Sequence, residues 1–202
     1  MLKILKFHFI LLIIIMISCS SQSSSVLKKG DQAPQFSALN QDGKTWDSQE
    51  YYGDHNLVIY FYPAAMTAGC TKQACSYRDN SNEFKQYDAK IIGISGDKVE
   101  NLKIFQQENE LNFTLLSDPE GKIAHKFGVP THRGGQIEKE IEGEKIQVER
   151  DATLERWTYL INKEGKIAYK DTSVNVIEDS QNILRRLQKI ETAESQSGSI
   201  SE

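Results

Sequence analysis

The sequence predicts an α/β fold, a central mixed β-sheet flanked by helices, and three observations predict it. Leu57-Val58-Ile59-Tyr60-Phe61-Tyr62 is an unbroken β-prone apolar run, the pattern of a strand covered on both faces. A second run, Ile91-Ile92-Gly93-Ile94-Ser95, follows a stretch of helical spacing free of proline and glycine. Strand and helix patterns then alternate along the chain, an order that calls for helices packed on the faces of a sheet.

The elements follow in order. Phe36 to Leu39 and Lys44-Thr45-Trp46 flank an Asp42-Gly43 turn and read as a small hairpin. Pro63 ends the Leu57–Tyr62 strand. From Thr71 to Tyr87 the spacing of Ala74, Tyr77, Phe84 and Tyr87 predicts one helix. After the Ile91–Ser95 strand, Val99 to Glu110 reads as a helix and Phe113 to Leu116 as a short strand. Ser117-Asp118-Pro119-Glu120 offers a cap and a first-turn proline for a helix through Phe127. Between Gly128 and Arg156, Ile137–Ile141 and Lys145–Val148 suggest a charged two-stranded flap to which no chemistry is assigned. Trp157–Ile161 and Lys166–Tyr169 form a last hairpin across an Asn162–Gly165 turn. A final helix over about 176–190 carries Ile177, Ile183, Leu184, Leu187 and Ile190. The domain is placed at residues 30–191, and the polar segment 192–202 is expected to be a disordered tail.

The first residues have a different character. Lys3 and Lys6 precede the apolar run Phe9–Ile17, about half the ~20 residues a spanning helix needs. That run suits a secretory signal over residues 1–18. Ile17-Ser18-Cys19 followed by Ser20, Ser21, Gln22 and Ser23 resembles the lipobox of bacterial lipoproteins, with Met16 where leucine is usual. The resemblance implies lipidation of Cys19 and a membrane-anchored, extracytoplasmic protein of the bacterial cell envelope. Residues 19–29 then read as a Ser-rich tether, a coil with a reach of roughly 20 Å. A plain signal peptide or an uncleaved anchor is the alternative.

Composition bounds the function. A formal net charge of −4 over 202 residues gives no electrostatic footprint for nucleic acid. Three cysteines are too few for a disulfide-built scaffold, and four scattered histidines do not suggest a metal centre. His55, His125 and His132 read as surface or capping residues. No metal or organic cofactor is implied.

The informative stretch is Tyr62-Pro63-Ala64-Ala65-Met66-Thr67-Ala68-Gly69-Cys70-Thr71-Lys72-Gln73-Ala74-Cys75, where a strand ends and a helix starts. A cysteine in the first turn of a helix meets unpaired N–H groups and the positive end of the macrodipole. Both favour the thiolate, the nucleophilic form. Thr67 can place a hydroxyl beside the sulfur, and Pro63 fixes the start of the loop and shields the pocket. Such a site suits attack on a weak O–O bond.

Pro63-x3-Thr67-x2-Cys70 resembles the Pro-x-x-x-Thr-x-x-Cys signature of peroxiredoxins. The run Gly69-Cys70-Thr71-x2-Ala74-Cys75 is similar to the atypical two-cysteine branch known as bacterioferritin comigratory protein or peroxiredoxin Q. Ala68 stands where that branch usually has proline. The likeness covers about residues 30–190 and implies a thioredoxin-like fold, often as a monomer. It implies that Cys70 is the peroxidatic cysteine, Cys75 the resolving cysteine and Thr67 the residue bonding peroxide and thiolate. It further implies a distant arginine, for which Arg156 is the matching position and Arg150 its competitor. The implied activity is reduction of hydrogen peroxide and organic hydroperoxides through a Cys70 sulfenic acid and a Cys70–Cys75 disulfide. An external thioredoxin-like dithiol would then regenerate the enzyme. On an α-helix, residues 70 and 75 lie about 8–9 Å apart, beyond the ~7 Å limit for a disulfide without backbone movement. Such a pair requires the helix start to unwind.

Two other functions suit the same fold. A membrane-tethered thiol-disulfide exchanger would call for Cys-x-x-Cys, whereas four residues separate this pair. A copper chaperone would use the two thiols and a histidine. Neither accounts for Pro63 and Thr67 at their spacings.

Overall fold

The computed structural model describes residues 27–141 and 143–198. The expected signal at 1–18, Cys19, the tether up to residue 26 and the last four residues lie outside this range. Along the chain run β1 (Ser37–Leu39), β2 (Thr45–Asp47), β3 (Asn56–Phe61), α1 (Ala68–Asp79), α2 (Ser81–Gln86) and β4 (Ala89–Ser95). They are followed by α3 (Val99–Glu108), β5 (Thr114–Ser117), α4 (Lys122–Phe127), β6 (Thr131–Ile141) and β7 (Glu144–Leu154). The chain closes with β8 (Thr158–Ile161), β9 (Ile167–Asp171) and α5 (Asp179–Gly198).

The central sheet has the order β5-β4-β3-β8-β9. Strands β3, β4 and β5 are parallel, while β8 pairs antiparallel with β3 and β9 antiparallel with β8. Every residue of β3 is buried, and its side chains divide by parity between two cores. Val58, Tyr60 and Tyr62 face α1, α3 and α5, meeting Tyr77, Phe105 and Ile183. Leu57, Ile59 and Phe61 face α4 and the β1–β2 hairpin, meeting Phe127, Phe36 and Trp46. The arrangement is a mixed sheet between two helical layers, the architecture expected.

Several boundaries differ from the expectation. The single helix expected over 71–87 starts three residues earlier and breaks at Asn80, whose side chain turns back to donate to the Ser76 carbonyl at 2.7 Å. Pro119 lies in a turn before α4, and the Asp118 carboxylate accepts the N–H groups of Ile123 and Ala124 at 3.1 and 2.9 Å. The flap is a longer ribbon, with β6 and β7 of eleven residues each. Its root is fixed at Gly96, where an added Cβ would lie 2.0 Å from the Ala152 carbonyl oxygen, so only glycine admits so close an approach. The segment 192–198, expected to be disordered, is the last part of α5. A polar helix surface extends without apolar spacing, which is why the sequence pattern stops at Ile190.

Candidate active site

The site forms where β3 ends. Tyr62 N–H donates to the Ile94 carbonyl at 3.0 Å, so the chain is still held to the sheet as it enters the loop 63–67. Pro63 is half-buried at its start. The Ala65 N–H donates to Oδ2 of Asp97 at 2.8 Å, a carboxylate with no exposed surface that also accepts the Ser95 hydroxyl at 2.8 Å. Burial pushes the Asp97 carboxyl above its ordinary value. Met66 adopts φ of +60°, a left-handed conformation uncommon for a residue with a side chain, and packs that side chain into the core.

Thr67 is the residue before α1, with extended backbone, and its hydroxyl donates to the Ala64 carbonyl at 2.9 Å. It closes the loop upon itself rather than bonding the sulfur. Cys70 falls in the first turn of α1 and is 1% exposed. Both Cys70 and Cys75 are free thiols here.

Arg156, two residues before β8 begins, reaches across to the helix, and its Nη2 donates to Cys70 Sγ at 3.2 Å. Arg150 instead donates from Nε to the Thr153 hydroxyl at 3.2 Å. The guanidinium of Arg156 is held in turn. Its Nη1 donates to Oε1 of Gln73, which is fully buried one helical turn after Cys70. The Gln73 amide donates to Oδ2 of Asp179 at 2.7 Å. The same oxygen accepts the hydroxyls of Tyr77 at 2.7 Å and Thr158 at 2.9 Å. Burial raises the Asp179 carboxyl above its ordinary value, although these donors favour the anion.

Cys75 lies five residues further along α1, half-buried, with its sulfur 3.9 Å from Asn109 Oδ1. It borders a groove of about 620 Å³ shared with Met66, Thr71, Lys72, Lys139 of β6 and Ile177. The flap therefore forms one wall beside the second cysteine, a contribution that its charge pattern alone did not reveal. Among the described residues no cluster of three or more histidines, cysteines or carboxylates could hold a metal. His55 pairs with Asp88 and His132 with Glu155.

A buried thiol at a helix start, beneath an arginine donor, can accept a peroxide oxygen while the guanidinium stabilises the charge that develops. The AhpC/TSA family pattern matches residues 29–170. The chain belongs to that family. It is 42% identical over 143 residues to peroxiredoxin Bcp of Escherichia coli, a match covering 71% of this chain and 84% of that protein. Peroxiredoxin Q of rice chloroplasts (Oryza sativa) is 38% identical over the same length, covering 71% of this chain and 58% of its own. Among solved structures, peroxidoxin BcpB of Mycobacterium tuberculosis superposes with a TM-score of 0.68 at 30% identity, over 81% of this chain and 98% of its own. The AhpC/TSA relatives are peroxiredoxins, thiol-dependent peroxidases, and the chain is an enzyme of that class, an oxidoreductase.

Residue-level reasoning passed over Gln73, Asp179 and Asp97. Gln73 carried a signal, since three residues after Cys70 puts it on the same helix face. Asp179 carried none, because a carboxylate opening an amphipathic helix reads as an ordinary first-turn acid.

Proposed function

We propose that the protein reduces hydrogen peroxide and organic hydroperoxides by a two-cysteine cycle. The Cys70 thiolate attacks one peroxide oxygen, the O–O bond breaks, and the departing alkoxide or hydroxide takes a proton and leaves as alcohol or water. Cys70 is left as sulfenic acid. The Cys75 thiol condenses with it, releasing water and forming the Cys70–Cys75 disulfide. An external thioredoxin-like dithiol then reduces that bond by exchange, supplying the two electrons.

The observation that carries this reading is the donation from Arg156 Nη2 to Cys70 Sγ at 3.2 Å in the first turn of α1. A guanidinium there stabilises anionic sulfur and a leaving oxygen. It would repel a copper ion, so the arrangement does not favour a metal chaperone. A bacterioferritin comigratory protein of Xanthomonas campestris, 27% identical with a TM-score of 0.64 over 81% of this chain and 97% of its own, has been described for alkyl peroxide reduction. That supports organic hydroperoxides as substrates here.

Peroxide consumption and copper binding, measured on one purified sample, test the reading. Turnover with a dithiol is expected in the wild type and none in Cys70→Ser. Copper binding without peroxide turnover contradicts it. We further propose, from the sequence alone, a monomer tethered through lipid at Cys19 in the bacterial cell envelope. Wild type is expected to partition into the detergent phase and Cys19→Ser into the aqueous phase, whereas equal partitioning contradicts lipidation.

A further inference from the structure

We infer that Asp179 is a positioning residue that clamps the start of α1 and so divides the cycle between reaction with peroxide and closure of the disulfide. The inference rests on the two-cysteine cycle proposed above and names what regulates it.

Asp179 opens α5, more than a hundred residues after Cys70, and is 1% exposed. Two of the three donors to its Oδ2, Gln73 and Tyr77, belong to α1. The third, Thr158, belongs to β8, two residues after Arg156. One buried oxygen thus joins the helix bearing both cysteines to the strand that follows the arginine. A second contact beside it, between the Ser76 and Ser180 hydroxyls at 2.6 Å, ties the same two helices.

The carboxylate also decides which way the Gln73 amide points. An acceptor-only group draws the NH2 toward itself, leaving Oε1 facing Arg156. The reversed amide would set N–H against guanidinium and oxygen against carboxylate. Asp179 therefore fixes Gln73, Gln73 fixes Arg156, and Arg156 donates to the sulfur.

Gln73 also lies between the cysteines. Bringing Cys75 to Cys70 requires the intervening turn to unwind, because their helical separation is about 8–9 Å against a disulfide limit of ~7 Å. Unwinding must pull Gln73 away from both Arg156 and Asp179. Oδ1 of Asp179 already lacks a partner among the described residues, so losing a donor on Oδ2 leaves the buried carboxylate less satisfied. The clamp thus favours the helical state that meets peroxide and opposes the unwound state that forms the disulfide.

Two measurements test it. In the reduced protein, Asp179→Ala is expected to speed amide hydrogen exchange across Thr71–Arg78 by about tenfold, the equivalent of one lost hydrogen bond. Stopped-flow fluorescence with hydrogen peroxide is expected to show the peroxide-dependent phase slowed and the peroxide-independent resolving phase accelerated, each by about tenfold. Because the effect on the first phase travels through Gln73, Asp179→Ala is expected to slow it no further in a Gln73→Leu background. A merely structural role would slow both phases and add to the effect of Gln73→Leu. Should Asp179→Ala fail to fold, Tyr77→Phe removes one tether while leaving Gln73 oriented, and is expected to accelerate resolution alone. Unchanged exchange in the reduced protein, additive slowing, or resolution no faster than wild type in the folded variant overturns the clamp. Fast exchange with no peroxide-dependent phase in any protein, wild type included, overturns instead the peroxidase reading and the division of the cycle built on it.

Discussion

Arg156 serves two acceptors at once, the sulfur of Cys70 and the amide oxygen of Gln73, and a planar fork of donors is what allows it. Lysine keeps the charge but not the fork, so Arg156→Lys is expected to recover only part of the peroxide reaction. Arg156→Ala is expected to slow that reaction about 10²–10³-fold, the usual loss when a donor to developing charge is removed. The second-order rate constant with peroxide checks both, and an unchanged rate in Arg156→Ala contradicts the role. Tyr60 gives a contrasting case. Its hydroxyl is buried without a partner among the described residues, against the backbone of Gly93. Tyr60→Phe is expected to leave the unfolding free energy unchanged or raise it by up to about 1 kcal/mol, as read by urea titration. Pro63, Thr67, Cys70 and Cys75 could be found in the sequence because they lie within thirteen consecutive positions, where spacing carries the chemistry. Thr67 shows the limit of that reading, since its hydroxyl turns to Ala64. Asp179 and Asp97 could not be found that way. Asp179 holds Gln73, Tyr77 and Thr158, and Asp97 holds the Ala65 N–H, contacts that only folding brings together.

Helix α1 is packed along its length yet tethered by polar contacts at the turns that must open. Oxidation is expected to raise amide hydrogen exchange across Thr71–Arg78 while β3 and β4 stay protected, being central strands buried on both faces. Unchanged exchange in protein whose 70–75 disulfide is confirmed by mass contradicts unwinding. At the opposite edge of the site, the β6–β7 ribbon depends on its close approach at Gly96. Gly96→Ala forces Cβ against the backbone at Ala152 and is expected to cost about 1–3 kcal/mol, read from the denaturation midpoint. The sheet strands were legible because their apolar runs are continuous, and the ribbon less so. Its core-facing residues Ile137, Ile141, Ile146 and Val148 are diluted by charged neighbours, and Gly134-Gly135 interrupts the pattern although the pairing resumes in the same register at Gly135. The break between α1 and α2 was not legible, because Asn80 acts through a side chain folded back on its own helix.

For the whole molecule, buried carboxylates, Asp97, Asp118 and Asp179 among them, make stability depend on pH in a direction opposite to that of ion-paired acids. Asp97 and Asp179 hold their protons to higher pH when folded than in the unfolded chain, where such groups titrate near 3.8. Their contribution is fully present below that value and is lost as pH rises through the folded one. Asp97→Asn removes one of them, so the variant is expected to gain stability relative to wild type as pH rises above about 4. Urea titrations across that range check it, and parallel pH curves contradict it. Exposed acids such as Asp42 and Glu164, whose carboxyls are lowered by their lysine partners, are common to both proteins and cancel. Both thiols lie on α1, and Cys70 is the one that accepts from Arg156. Reduced wild type and Cys75→Ser are each given one equivalent of hydrogen peroxide, and the intact masses and peptides are read. The wild type is expected to lose two hydrogens and yield a linked Cys70–Cys75 peptide, and Cys75→Ser to gain one oxygen on Cys70. An oxygen found on Cys75 in the wild type, with Cys70 still a free thiol, would contradict the account.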